Sequence, residues 1–374
     1  MKIAVFTDLR FVQSTVPTGV GKHIIQMVSG LARVPGNEVE FLATRDQYLA
    51  GGLRLEEAAP SFRVRKLPLP WKAAEAIWTL AGGPAVDSYC QGADWVYCPK
   101  NDFIPLRNVR SAVTIHGAHE LDPQVPRAPG LAARLNRIRR RLSYARITSN
   151  ARLVLTVSEF LKARIIDWFG CDDQKIVVVG NGVEREFFDA ACSPRGSLLR
   201  SADRPYLLCV GGLNDVDGGG LILDVAQLLL RTHPGLQIVV AGLQHDARHL
   251  ARARELANVE LQGYVPAAKL ALLMRDACAL LYLPTYETFG IAAAEAMATG
   301  VPVITTGGTA IPEIVGNAGL YATSNSHDVI DKINSVFLDD ALAESLRKAG
   351  RERARNYTWQ ACVDRLQAAL QRTS

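Results

Sequence analysis

The stretch from 282 to 316 carries the densest chemistry in this chain: Tyr-Leu-Pro-Thr-Tyr-Glu-Thr-Phe-Gly-Ile-Ala-Ala-Ala-Glu-Ala-Met-Ala-Thr-Gly-Val-Pro-Val-Ile-Thr-Thr-Gly-Gly-Thr-Ala-Ile-Pro-Glu-Ile-Val-Gly. A strand ends near Pro284, Thr285 to Gly290 form a loop, and Ile291 to Thr299 are Ala-rich and helix-forming until Gly300 stops them. The N–H groups of such a loop and helix N-terminus suit a phosphate or a sugar hydroxyl. Glu287 and Glu295 would lie ~80° apart in azimuth and ~12 Å apart along the axis if one helix carried both. They cannot meet on one atom, but they can grip two ends of an elongated ligand such as a nucleotide-sugar.

Other candidates lie in the first half. Thr18-Gly19-Val20-Gly21-Lys22-His23 follows the first strand and opens an apolar helix (Ile24, Ile25, Met27, Val28, Leu31). A Gly-x-Gly by itself is compatible with a tight turn. No Gly-x-Gly-x-x-Gly is completed and no acid is placed to bind a ribose, which disfavours a nicotinamide dehydrogenase. His116 ends the strand Ala112-Val113-Thr114-Ile115.

These residues need a scaffold, and the sequence predicts one. Short runs rich in Val, Ile, Leu and Tyr recur at 2–7, 39–44, 94–98, 111–116, 152–157, 175–179, 206–210, 236–241, 258–264, 278–284, 302–305 and 318–322, with helical segments between many of them. Near-continuous apolar runs mark strands buried on both faces, and the β-then-α order implies parallel sheets. The polar, turn-rich stretch 183–205, including Ser193-Pro194-Arg195-Gly196 and Ala202-Asp203-Arg204-Pro205, reads as a boundary between domains 1–190 and 191–356. Each would hold an open α/β sheet of about six strands, the two facing across a cleft, with ligands beyond the carboxyl ends of the strands. A last helix, 357–372, follows the second sheet and could return to brace the first domain.

A length of 374 residues agrees with two domains at roughly 150 residues each. The balance of 42 Lys+Arg against 37 Asp+Glu is too even for bulk coating of nucleic acid. No apolar stretch approaches the ~18–20 residues that span a bilayer, and Met1-Lys2 leads straight into a strand, so a cytoplasmic protein is expected. Seven scattered cysteines without a Cys-x-x-Cys pair write neither a disulfide framework nor a zinc site.

The 282–316 segment resembles the retaining glycosyltransferases of family four, which have the GT-B fold of two Rossmann-like, doubly wound parallel-sheet domains. Their pattern Glu-x7-Glu around Phe-Gly, then Glu-Ala-Met-Ala-x-Gly-x-Pro-Val and Pro-Glu, is met by Glu287, Phe289-Gly290, Glu295-Ala296-Met297-Ala298, Gly300, Pro302-Val303 and Pro312-Glu313. The mannosyltransferase-like branch is the nearest in pattern. The resemblance implies that Glu287 and His116 serve catalysis beside the donor hexose and that Glu295 accepts from the ribose hydroxyls. Thr288, Phe289, Gly290 and Ile291 would present N–H groups to sugar and phosphates, with Gly19, Gly21 and Lys22 bordering the phosphates. Thr-Ile-His matches the family's Thr-Ile-His-Asp, with Gly117 in place of the Asp; Asn181-Gly182-Val183 matches a junction motif and reads as architectural.

One loop departs. At 210–218, Val-Gly-Gly-Leu-Asn-Asp-Val-Asp-Gly, the family's diphosphate-clamping Arg falls on Gly212 or Val216 and its Lys on Asp217. Two lost charged hydrogen bonds would weaken donor affinity by on the order of 10²–10⁴. Three outcomes are open: Lys22 and the amides at 288–291 suffice, the Gly218-Gly219-Gly220 run forms a phosphate-binding nest, or the chain turns over sugar nucleotides poorly.

The implied function is transfer of a hexose, mannose by preference, from a GDP- or UDP-linked sugar to a glycan or lipid-linked glycan, with retention, as in polysaccharide biosynthesis. No metal or other cofactor is expected, since the Asp-x-Asp at 215–217 falls on the clamp loop. The alternative is a non-catalytic or weakly active GT-B subunit that partners another glycosyltransferase; a sugar-nucleotide epimerase on this fold is a third reading. Residues 131–152 carry arginines at 134, 137, 139, 140, 141, 146 and 152, with Leu131, Leu135, Ile138, Leu142 and Ala145 at spacings of three and four. No acid lies between Asp122 and Glu159. Such a basic amphipathic helix is either a solvated face or a dock for an anionic membrane at its inner surface.

Overall fold

The computed structural model describes residues 1–10, 18–49, 62–123, 125, 130–192, 205–243 and 246–373. Within these the chain forms two parallel sheets. The first joins β1 (Lys2–Phe6), β2 (Glu38–Ala43), β3 (Arg63–Lys66), β4 (Trp95–Cys98), β5 (Arg110–Ile115), β6 (Leu153–Thr156) and β7 (Ile176–Val178) in the order β3-β2-β1-β4-β5-β6-β7. The second joins β8 (Tyr206–Val210), β9 (Gln237–Ala241), β10 (Val259–Gly263), β11 (Ala279–Tyr282), β12 (Val303–Thr306) and β13 (Gly319–Ala322) in the order β10-β9-β8-β11-β12-β13.

The central strands are apolar on both faces because helices cover both sides. All four residues of β4, β6, β11 and β12 are buried. The first sheet has seven strands where the sequence suggests six. The extra one, Arg63-Val64-Arg65-Lys66, sits at an edge where one side is open to water, so its charges disguise it. Arg65 Nε donates to Glu40 Oε2 on β2 at 2.8 Å.

The contacts divide the chain into a first unit of Met1–Asn181 with Trp359–Ser374 and a second unit of Gly182–Thr358. This division falls before the 190/191 boundary read from the sequence, because the Arg185–Ala191 helix belongs with the second unit. The polar stretches 193–196 and 202–204 lie outside the described residues. Helix Trp359–Arg372 puts Cys362, Val363, Leu366 and Leu370 into one core with Ile3, Val5, Phe41 and Trp95. Gly30 is required there: a Cβ would come within 2.3 Å of Val363 Cγ2.

Five cysteines (90, 98, 171, 209 and 362) are buried, Cys278 is half-buried and Cys192 is exposed. Among the described residues no helix is long and apolar enough to cross a membrane.

Candidate active site

In each sheet the strand order reverses direction once, between β1 and β4 and between β8 and β11. Loops at such switch points splay apart and leave a crevice beyond the strand ends. In the second unit those loops are 211–218, after β8, and 283–290, after β11. They are tied side by side, with Thr285 N donating to Val216 O at 2.8 Å.

The second loop delivers the acids. Glu287 stands in it, ahead of the Ile291–Thr299 helix, so the spacing expected for two residues on one helix does not apply. Its Oε1 accepts from the N–H of Thr288 at 2.8 Å and of Phe289 at 3.2 Å, and its Oε2 accepts from the Tyr282 hydroxyl. Thr309 Oγ1 holds the Glu287 N–H at 3.0 Å. Thus two of the amides nominated as ligand donors are engaged by the neighbouring carboxylate. The Ile291 and Ala292 N–H groups, in the first turn of the helix, have no partner among the described residues.

Gly290 caps that helix at φ +93°, and a Cβ there would meet Ile311 Cδ1 at 2.8 Å. Backbone geometry therefore demands glycine, whatever the approach of a ligand. Glu295, in the body of the helix, is only 3% exposed. Burial first, then the charge of Glu287, pushes the Tyr282 phenol well above its usual range, and Asp217 and Glu295 add to the effect. Of these carboxylates, Glu287 is the one that accepts directly from the Tyr282 hydroxyl.

The first loop is built differently. Asn214 Oδ1 accepts from the N–H of Val216 and of Asp217, each at 2.9 Å, an Asx turn. Asn214 Nδ2 in turn donates to Asp217 Oδ2 at 2.6 Å, and Gly212 N donates to the same oxygen at 3.3 Å. The acid at the Lys position is a staple that closes its own loop. Burial, reinforced by Glu287, raises the Asp217 carboxyl above the usual carboxylate range. Gly218 follows at φ +75°, with its Cα hydrogens against Leu283: a Cβ would lie 2.0 Å from the Leu283 carbonyl oxygen. Gly219 and Gly220 enter the first turn of the Gly219–Thr232 helix, and Gly219 N is taken by Asn214 O at 2.8 Å.

The Asp-x-Asp string splits, with Asp217 turned in and Asp215 exposed. Asp215, Asp246 and His249 bring ligand atoms within 4.8 Å of one another. Arg248 spans both carboxylates, at 3.1 Å to Asp215 and 2.9 Å to Asp246, so one of the two negative charges is already balanced by a side chain. Arg248 was not legible as a site residue. The only signal was Asp246 as N-cap of the Ala247–Glu255 helix, accepting from the N–H of Arg248 and His249.

The first unit gathers the remaining candidates. Gly19 and Gly21 are not a loop but the first turn of helix Gly19–Arg33, capped by Thr18, whose Oγ1 accepts from Gly21 N at 3.2 Å; Lys22 lies in the same turn. The next residue, His23, sets its ring edge-on to His116 at 4.5 Å between centroids. His23 Nδ1 faces Asn181 Oδ1 at 2.8 Å, giving the junction asparagine a local partner. His116 Nε2 lies 2.8 Å from the Pro99 carbonyl, which can only accept, so Nε2 carries the proton and Nδ1 is the free acceptor. Burial, with Lys100 adding to it, lowers His116 to about 4, and His23 also falls well below the usual histidine value, chiefly through burial. Both rings are neutral at pH 7.

Comparison with known proteins bears on both units. Residues 17–187 match the model of the Glycosyltransferase Family 4 family, and residues 194–353 match that of Glycosyl transferases group 1. The chain is a glycosyltransferase of GT-B type. It is 28% identical over 366 residues to O-antigen chain mannosyltransferase B of Escherichia coli, covering 92% of this chain and 94% of that protein. Among solved structures, sucrose-phosphate synthase from Thermosynechococcus elongatus superposes at TM-score 0.74 with 20% identity, covering 99% of this chain and 98% of the other. Anabaena HepE in complex with UDP and glucose superposes at 0.71 with 16% identity, covering 99% of each chain. These two establish the fold for this glycosyltransferase: two parallel-sheet Rossmann-like domains.

Proposed function

We propose that this glycosyltransferase moves a hexose, mannose by preference, from a nucleoside-diphosphate sugar to a glycan or lipid-linked glycan acceptor, with retention at the anomeric carbon. The observation that carries the reading is that the loop and helix at the β8/β11 switch point bring Glu287 just ahead of the Ile291–Thr299 helix and Glu295 into its body, while the Ile291 and Ala292 N–H groups have no partner among the described residues. Carboxylates accept from paired sugar or ribose hydroxyls, and a helix N-terminus receives phosphate. Glu287 would orient the hexose and Glu295 the ribose, while the Ile291 and Ala292 amides would stabilise charge on the departing diphosphate as an acceptor hydroxyl attacks the same face. The preference for mannose is supported by the mannosyltransferase relative that spans nearly the whole chain.

The missing clamp cations would be offset by the Ile291 and Ala292 amides at the helix N-terminus. In the first unit, neutral His116 keeps Nδ1 as an acceptor, and Gly19, Gly21 and Lys22 open a helix N-terminus; substitution tests their part in the reaction. Incubation with GDP-mannose, UDP-glucose and related donors, with the product anomer assigned by NMR coupling constants, tests the proposal. An α-linked product from an α-linked donor is expected. A β-linked product would overturn retention.

The cation-free loop after β8 favours a second reading, a GT-B subunit with little or no catalysis that binds a partner glycosyltransferase or a glycan. Absence of binding to every nucleotide sugar, together with intact folding, would select it.

A further inference from the structure

Helix Leu131–Asn150 is amphipathic in an unexpected sense. Its buried residues, Tyr144, Ile147 and Thr148, define the side turned to the protein. Leu131, Leu135, Ile138 and Leu142 fall within about 60° of azimuth on the roughly opposite side. Their exposure runs from 42% at Leu142 to 71% at Leu131. The apolar stripe therefore points to solvent, where burying it would release ordered water at no cost to the core.

The neighbouring helix Trp71–Ala81 extends the same surface. Arg139 pairs with Glu75 at 2.6 Å, and Arg146 donates to the carbonyls of Thr79 and Leu80, so the two helices lie side by side. Ile77 and Leu80 are likewise exposed. Six of the ten large exposed hydrophobic residues among the described residues are on these two helices. Scattered single exposures are ordinary, but a cluster of this kind marks an interaction face.

Its charge identifies the partner. Arg134 and Arg141 flank the stripe on one side, are exposed and make no ion pair among the described residues, whereas half-buried Arg137 falls at the azimuth of Tyr144 and Thr148 on the side turned to the protein. Long guanidinium stems lie along apolar surface while their heads reach polar groups, the arrangement of helices seated at a lipid headgroup boundary. We infer that the surface formed by helices Trp71–Ala81 and Leu131–Asn150 docks on an anionic lipid bilayer, with Leu131, Leu135, Ile138, Leu142, Ile77 and Leu80 entering the acyl boundary and Arg134 and Arg141 meeting lipid phosphates. The docked helix is tied to the loop that follows His116, because the buried Tyr144 hydroxyl donates to Gly117 O at 2.7 Å. Docking would thus hold that strand end at a fixed height above the membrane. The inference stands on this surface alone, independent of the donor assignment.

Flotation of the full chain with phosphatidylglycerol/phosphatidylethanolamine vesicles, against phosphatidylcholine vesicles, tests it. Association with the anionic vesicles at least tenfold above the neutral ones is expected, weakening as salt rises. The pair Leu135→Glu with Ile138→Glu, and separately the pair Arg134→Gln with Arg141→Gln, should each lower the partition at least tenfold with unchanged circular dichroism. Leu338→Glu, at an 86% exposed leucine of the second unit, should leave it unaltered. No vesicle association overturns the inference. So does association that the two helix variants leave intact, or lipid-free dimerisation that Leu135→Glu abolishes without any vesicle binding.

Discussion

Two loops flank the β8/β11 switch point, and they solve opposite problems. The loop after β11 leads into a helix whose Ile291 and Ala292 N–H groups have no partner among the described residues, with Glu295 buried in the body of that helix. The loop after β8 spends its capacity on itself, with Asn214 and Asp217 satisfying Gly212, Val216 and each other. The loop after β8 therefore holds its shape through its own side chains and needs no ligand to satisfy Asp217. Under the proposed function, donor recognition would rest on the acids and amides of the loop after β11.

The comparison breaks most readily at Glu295. Glu295→Ala should weaken binding of GDP- or UDP-sugars by roughly 10²–10⁴, since two charge-assisted hydrogen bonds contribute about 1.5–3 kcal/mol each. Calorimetric titration of the variant would expose an unchanged dissociation constant, which would remove Glu295 from the site.

Asp217→Lys sharpens the contrast. It should raise donor affinity about tenfold or more if the loop faces a diphosphate, while lowering stability by about 1–3 kcal/mol because Gly212 N and Asn214 Nδ2 lose their acceptor. Affinity and melting temperature moving in opposite directions is the expected signature; an unchanged affinity would show that the loop does not reach the phosphates.

Gly218→Ala tests the loop's architecture alone. With φ at +75° and a backbone oxygen 2.0 Å from the new Cβ, about 1–3 kcal/mol of strain or displacement is expected as a lowered melting temperature.

Smallest is a pH effect. The folded-state pKa of Asp217 lies above its unfolded value, so its ionisation opposes folding: the penalty is absent below the ordinary carboxylate value and develops as pH rises through the raised one. Asp217→Asn should therefore gain stability relative to the native chain on going from pH 3 to pH 7 in thermal melts. The histidines act in the other sense. With folded values depressed below 6.5, His23 and His116 leave stability intact above about 6.5 and erode it as pH falls toward about 4. The corresponding slope should flatten in His116→Asn.

Much of this architecture was legible in the chain. Fully buried strands such as Trp95–Cys98 and Ala279–Tyr282 announce themselves because burial on both faces permits only apolar residues. Arg63–Lys66 escaped notice because an edge strand tolerates charge. The acid loop was readable from spacing, whereas the engagement of Thr288 and Phe289 amides by Glu287 depends on side-chain direction, which spacing does not encode. Asp217 looked like a misplaced charge; its role emerged only with its partners Asn214 and Gly212. The Gly19-x-Gly21 pattern suggested a phosphate loop, but Thr18 caps a helix one residue earlier and draws both glycines into it.

In the proposed function an activated, anionic sugar would bind the second unit through Glu287, Glu295 and the adjoining helix N-terminus. Calorimetric titration of the native chain with GDP-mannose and UDP-glucose tests it most directly. A saturable signal with a dissociation constant below about 1 mM is expected for at least one of them. Heat indistinguishable from dilution with every nucleotide sugar, from a chain whose melting curve shows it folded, would contradict the account.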